Sequence, residues 1–368
     1  MRTLLFLIPS LATRGAERVL VNLVNSLDKS KYRITVQSLF DVGELRGSLS
    51  PEVEYHRGMP FLLRGYVQLM KLFSPQSLYR LIVKKKYDVA IAYLEGASTR
   101  IISGCPYPDS KKVAWIHTHV ADMDELSYCF RSEQETRACY AKFDRIVAVS
   151  GVIHQHMEAL LSHSCKLLYN VIDTDRVLQR SQSVAVDLPY STIVNVISVG
   201  SLSHVKGYDR LIRVHQRLVA AGVAHHLYLI GTGPQESVLQ SLIQELHVQN
   251  TVHLLGFRSN PYPYLAQADL YVCSSHNEGF STSIVEAMTL GLPVLSTHCS
   301  GAEELLGKCN EYGLVVENSE QGLFDGLHQL LTTPVLLLHY AQQSLVSIAR
   351  YSKEQSVLHH HDFFQSLT

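Results

Sequence analysis

The chain has 368 residues, long enough for two domains of ordinary size. It is 46% hydrophobic and 18% charged, and its 32 basic side chains meet 33 acidic ones, so a formal net charge of −1 gives no electrostatic case for nucleic acid. Its seven cysteines form no CxxC pair and its 19 histidines are scattered, which argues for reduced thiols in a cytoplasm over a disulfide framework or a zinc site.

The opening apolar run, LLFLI (4–8), predicts a buried strand rather than a signal peptide. It is short, Pro9 interrupts it, and an amphipathic helix carrying Val19, Leu20, Leu23, Val24 and Leu27 follows at once. Further strands are predicted at 34–40, 89–94, 113–117, 146–150 and 166–169, with helical segments between most of them. Continuous apolar strands separated by helices imply a parallel sheet covered on both faces. The segment 61–83, apolar and basic, runs into Lys84, Lys85 and Lys86. It reads as a core helix with a solvated C-terminal end, or as contact with a membrane surface.

After Asp173 the pattern weakens, and the polar stretch 174–191 is the expected linker. A second alternating series follows: 194–200, 227–231, 252–256, 270–274, 293–297 and 314–317. The tail from 334 on is helical and rich in apolar and aromatic residues, and is expected to cross back to the first domain. No stretch approaches the roughly 20 apolar residues of a membrane span.

Ligands of open α/β sheets sit beyond the carboxyl ends of the strands. Three such ends in the second series open into SLSHVKGYDRLI, with Lys206 before a helix, into a Gly-Thr-Gly turn (231–233), and into SHNEGFSTSIVEAM. In the last, Phe280, Ser281 and Thr282 fall at a helix start, whose unused amides favour an anion, and Gly279 lets the backbone approach it closely. A carboxylate is a poor neighbour for phosphate, so Glu278 and Glu286 must face hydroxyls instead. Hydroxyls flanking a diphosphate describe a nucleotide sugar.

These residues resemble the retaining glycosyltransferases of the GT-B class, family four, whose mark is a Glu-x7-Glu pair, matched by Glu278 and Glu286. RGAERVL (14–20), AWIHT (114–118), VAVS (147–150), YNVID (169–173), VGSLSHVKGYDRLI and LGLPVLST extend the resemblance over nearly the whole chain. Taken singly, Lys206 reads as a helix-start lysine, His117 as a strand-end histidine and Glu286 as an exposed helical residue. The combination is what is specific.

The resemblance implies an α/β, GT-B protein: two Rossmann-like parallel-sheet domains (1–173 and 192–333) facing a central cleft, joined by the linker and followed by helices over 334–368. It assigns the ribose hydroxyls to Glu286, the transferred sugar to Glu278, and the diphosphate to the amides of Phe280 and Ser281 with Lys206. His117 and Gly15 would line the cleft from the first domain, Gly231 and Thr282 would belong to the donor loops, and Arg258 would sit by the nucleobase. His117, Lys206 and Glu278 are the expected catalytic residues. Ser201 departs from the family's Gly-Arg-Leu, losing a diphosphate contact worth ~1.5–3 kcal/mol unless Arg14, in the facing loop, compensates.

The implied activity is transfer from a nucleotide-diphosphate sugar, UDP-sugar favoured, to a glycan or polyprenyl-diphosphate-linked acceptor in surface polysaccharide synthesis. No cofactor or metal is expected. The Asp122-Met123-Asp124 triplet lies away from the phosphate loops, and His117-x-His119 and His154-x-His156 lack companion ligands. The protein is expected to be cytoplasmic, at the inner membrane face through its N-terminal domain. The competing readings are a GT-B sugar-nucleotide epimerase or phosphorylase, and a non-catalytic nucleotide-sugar-binding protein.

Overall fold

The short apolar runs become the strands of two sheets, and every strand pair in both is parallel. A computed structural model describes residues 1–12, 15–183, 188, 193–299 and 301–367. The chain divides into two compact units. One is Met1–Val171 with the residues from Glu354 on, and the other is Ile172–Lys353.

The first unit contains β1 (Arg2–Ile8), β2 (Tyr32–Ser38), β3 (Glu54–His56), β4 (Val89–Ala92), β5 (Lys111–Ile116), β6 (Arg145–Ala148) and β7 (Cys165–Leu167), in the order β3-β2-β1-β4-β5-β6-β7. β1 lies in the middle, covered on both faces, and so Leu4 to Ile8 are all fully buried with no polar alternation. The unpredicted strand is β3, whose residues Glu54, Tyr55 and His56 show no apolar run because it is a partly exposed edge.

The second unit contains β8 (Val194–Val199), β9 (His225–Ile230), β10 (Val252–Gly256), β11 (Leu270–Cys273), β12 (Val294–Thr297) and β13 (Leu314–Val316), in the order β10-β9-β8-β11-β12-β13. Its core joins Leu211, Val214 and Leu218 of the helix Tyr208–Ala220 to Leu323, Leu327 and Leu330 of the helix Glu320–Thr332. Both sheets follow the 3-2-1-4-5-6 winding of the Rossmann fold, the first with one strand added.

Two boundaries differ from expectation. Residues 174–181 of the expected linker form a helix, Thr174–Ser181, capped by the Asp173 carboxylate and belonging to the second unit. Arg180 reaches the carbonyl of Ser259 at 3.2 Å, and Asn260 donates back to the Arg180 carbonyl at 2.9 Å. The linker residues 184–187 and 189–191 lie outside the described residues. The tail also divides. The helix Pro334–Ile348 stays in the second unit, where Ser344 and Ser347 donate to the carbonyls of Leu292 and Leu305. The crossing back begins only at Glu354, and the last helix, Lys353–Gln365, lays His360 flat on Trp115 and packs Phe364 against Phe6. Among the described residues no helix is long and apolar enough to cross a membrane.

A buried histidine pair gives the second unit an expected sensitivity to acid. His215 Nδ1 and His225 Nε2 lie 2.8 Å apart, and His215 Nε2 meets Thr251 Oγ1 at 2.8 Å. Burial, reinforced by the neighbouring His225, His226 and His253, pushes His215 down to about 3. The unfolded chain therefore binds a proton that the folded one refuses between that value and the ordinary 6.5, so stability falls as pH drops through this window. We expect the urea midpoint to fall between about pH 7.5 and about pH 5, with this one histidine costing roughly 2 kcal/mol. A His215→Gln variant, less stable at neutral pH, should show a shallower fall. An identical slope in the variant would remove His215 as the cause.

Candidate active site

In the second sheet the winding reverses between β8 and β11, which are neighbours in space but far apart in sequence. Crossovers leave such a pair in opposite directions, so the edge beyond their carboxyl ends stays open and the two loops there meet.

Those loops are joined through their backbones. His276 N–H donates to the Val205 carbonyl at 2.7 Å, and Ser274 Oγ donates to the Lys206 carbonyl at 2.8 Å. The buried Arg210 guanidinium grips the Ser274 carbonyl through Nε and one terminal nitrogen, at 3.0 and 2.6 Å. Gly207 makes this approach possible. Its φ is +61°, and a Cβ there would stand 2.3 Å from the Ser274 oxygen.

The result is a fixed ion pair. Lys206 Nζ donates to Glu278 Oε1 at 2.5 Å, and Ser275 Oγ donates to the same oxygen at 2.6 Å. Burial works against the Lys206 ammonium, but the Glu278 carboxylate outweighs it and holds the lysine above its ordinary pKa, so it is charged at neutral pH. Both side chains keep some exposure, 22% and 13%. With one carboxylate oxygen taking both donors, Glu278 Oε2 and two ammonium hydrogens have no partner among the described residues.

The helix Thr282–Thr289 begins just past Glu278. Its N-cap is Ser281, which makes no side-chain cap bond, and Val285 is the first residue to bond back to it. The amides of Thr282, Ser283 and Ile284 therefore have no helical acceptor. Phe280 precedes the N-cap, its ring 5.9 Å from Tyr351, and Gly279 lies in the bend before it. One turn further on, Glu286 is buried, and Tyr262 donates to its Oε1 at 3.1 Å.

The remaining expected residues divide between the units. Ser201 is exposed, its Oγ 3.1 Å from Ser203 Oγ, and Gly231, just past β9, lies so close to the residue following β8 that a Cβ would overlap the Gly200 carbonyl. Arg258, past β10, donates to the Tyr264 hydroxyl at 2.9 Å. Gly15 and His117 belong to the first unit, at the start of the helix Gly15–Ser26 and the end of β5. Burial pushes His117 down to about 3, so its ring is neutral, and its Nε2 has no partner among the described residues. Arg14 lies outside the described residues. Asp122 caps the short helix Met123–Leu126 by accepting the Glu125 amide. Ser275, Arg210 and Tyr262, which position Glu278, Lys206 and Glu286, were not singled out in sequence. Only Ser275, three residues before Glu278, carried any signal.

Residues 188–347 match the family described as Glycosyl transferases group 1, and residues 13–176 match Glycosyltransferase Family 4. The chain belongs to these group 1, family 4 glycosyltransferases. It is 27% identical, over 96% of each chain, to N-acetylgalactosamine-N,N'-diacetylbacillosaminyl-diphospho-undecaprenol 4-alpha-N-acetylgalactosaminyltransferase of Campylobacter jejuni. It is 25% identical, over 92% of each chain, to the lipopolysaccharide core biosynthesis glycosyltransferase LpsE of Rhizobium meliloti. Among solved structures, Anabaena HepE in complex with UDP aligns with a TM-score of 0.77 at 18% identity, covering 99% of this chain and 100% of that one. Sucrose-phosphate synthase of Thermosynechococcus elongatus aligns with a TM-score of 0.80 at 15% identity, over 100% and 99%. These likenesses establish the GT-B fold.

Gly207→Ala tests the junction of the two loops. The strained left-handed backbone and the clash with Ser274 should cost about 1–3 kcal/mol of stability. They should also separate Lys206 from Glu278 and weaken nucleotide binding beyond what the stability loss explains. A variant that melts early yet binds UDP with unchanged affinity at low temperature would show that the junction does not set the site.

Proposed function

We propose that this glycosyltransferase is a retaining, metal-independent, hexosyltransferase-type enzyme that takes a sugar from a UDP-sugar and places it on a hydroxyl of a glycan or lipid-linked acceptor. The observation that carries this reading is the Lys206–Glu278 pair, held at the winding reversal next to a helix start whose first amides have no helical acceptor. The diphosphate binds across Lys206 and the amides of that helix start, Glu278 Oε2 accepts from a hydroxyl of the transferred sugar, and Glu286 takes the ribose. Arg258 lies beside the base, Gly15 belongs with the donor-binding residues, and His117, near the transferred sugar, joins Lys206 and Glu278 as a catalytic residue. The named relatives act in lipid-linked glycan and lipopolysaccharide assembly, and HepE holds UDP, which supports this choice of substrates.

In the reaction the bond from the anomeric carbon to the diphosphate oxygen breaks and its electron pair stays with the phosphate. Lys206 and the helix amides stabilise that growing charge, an electrostatic contribution from groups already in place. The anomeric carbon becomes oxocarbenium-like. The acceptor hydroxyl oxygen bonds to the same face, and its proton passes to the departing phosphate oxygen.

The test is a panel of UDP-sugars with excess EDTA throughout. Donor binding is read by thermal shift and calorimetry, and the anomeric configuration of the product by NMR. We expect donor binding, transfer with the donor's configuration kept, and a donor affinity for Glu286→Ala weaker by roughly tenfold to a hundredfold. An inverted product, or activity lost to EDTA and restored by manganese, would overturn the mechanism. Tight donor binding with no turnover on any acceptor would favour a binding protein.

The acceptor side fits a protein that works at a lipid surface. From Tyr55 to Tyr87 the chain carries seven basic and no acidic side chains. Phe61, Leu62 and Leu72 in this stretch are 59%, 61% and 74% exposed. Apolar side chains set among cations suit an anionic membrane, with each basic residue near the surface worth about 1 kcal/mol. The protein should therefore sediment with phosphatidylglycerol vesicles but not phosphatidylcholine vesicles, and a double Phe61→Ser, Leu62→Ser variant should bind about tenfold more weakly. Equal sedimentation of variant and wild type would exclude this surface.

A further inference from the structure

The first unit repeats the winding reversal of the second. β1 pairs with β2 on one side and with β4 on the other, so the carboxyl ends of β1 and β4 border an open edge where a doubly wound sheet takes its ligand. At this position the second unit carries Glu278, in the loop after β11. The first unit carries Glu95, in the loop between β4 and the helix Ala97–Ile102.

Glu95 is tied into the neighbouring strand end. Its Oε2 accepts the His117 N–H at 3.0 Å, and the Thr118 amide also donates to this carboxyl. A structural staple alone would explain those bonds, but an uncharged amide would make one as well and avoid the cost of burying a charge. Among the described residues, no cation offsets the charge. The groups that face it are Glu125 from the helix Met123–Leu126, Cys129, and Tyr140 from the helix Glu133–Tyr140. Beside it, the buried His117 Nε2 is without a partner among the described residues. Two polar groups with unused capacity thus stand at adjacent strand ends of the edge where a ligand is expected.

We infer that Glu95 is the acceptor-recognising carboxylate of the first unit, taking a hydrogen bond from an acceptor-sugar hydroxyl while its backbone contacts hold His117 in register. This rests on the transferase reading. It also gives that reading a pH signature. Burial, with the Glu125 charge, lifts the Glu95 carboxyl to about 7 against the pull of the His117, Glu95 and Thr118 amides. The ionised form is the better acceptor for a hydroxyl, so acceptor affinity should rise as pH climbs through that value. His117, neutral down to about 3, does not titrate in this range.

The experiment measures the affinity of nitrophenyl hexosides and N-acetylhexosaminides, as acceptor probes, for the UDP-saturated full chain by saturation-transfer NMR across pH 6 to 8.5, beside calorimetry of UDP alone. Glu95→Gln should weaken the best probe about tenfold at the alkaline end and flatten the pH dependence. UDP affinity should stay within about twofold. Glu95→Asp should restore the pH dependence at intermediate affinity. Probe affinity unchanged in Glu95→Gln, no probe bound by the wild type, or a variant that loses probe, UDP and thermal stability together would each overturn the inference. Failure of wild-type protein to bind UDP would instead overturn the transferase reading, and the inference with it.

Discussion

The geometry of the candidate site depends on a topological constraint before it depends on any side chain. A parallel sheet needs a crossover between consecutive strands, and those crossovers cover its faces. Where the winding changes direction, the two loops leave for opposite faces and nothing covers the edge between them. β8 and β11 form such a pair, and Lys206 and Glu278 lie in their two loops. The reversal explains why residues 72 positions apart share an ion pair. It does not explain their alignment. That follows from Gly207, whose left-handed backbone lets one loop touch the other, and from Arg210, which fixes the Ser274 carbonyl at the junction.

The electrostatics follow from this junction. An ammonium lifted above its ordinary pKa by a carboxylate remains charged as it loses water, so it can meet a phosphate without first being ionised. Ser275 shares the bound carboxylate oxygen, which leaves the other without a partner among the described residues. The adjacent helix contributes positive potential from amides that its own hydrogen bonds cannot use.

The first unit depends on its last helix as much as on its sheet. Trp115 on β5 is fully buried, and the covering ring is His360, stacked 5.5 Å away and nearly parallel. Phe364 closes over Phe6 and Tyr32 of the central strands. His117 follows directly on the same β5, so the packing that anchors the strand also places the backbone of His117.

The fold class was legible in the sequence because a strand buried on both faces must be apolar at every position. All six predicted apolar runs of the second domain became strands, and six of the seven strands of the first were marked in the same way. β3, a half-exposed edge, carried no such mark. Lys206, Glu278 and Glu286 stood out in the sequence as motif residues, and the structure brings Lys206 to Glu278. Their partners did not stand out. Tyr262 beneath Glu286, Arg210 at the loop junction and Glu95 beside His117 act through contacts made by remote strand ends, and a buried hydrogen bond leaves no local pattern in the chain. The same reason accounts for the misplaced boundaries. Polarity marked 174–191 as a linker, yet 174–181 is a capped helix held by Ser259 and Asn260, and the tail's return was set by where Trp115 and Phe6 needed cover. Periodicity and residue chemistry determined the elements and the reactive groups; which groups meet was decided by the winding of the sheets, because proximity across a fold is a property of the packed chain and not of any segment in it.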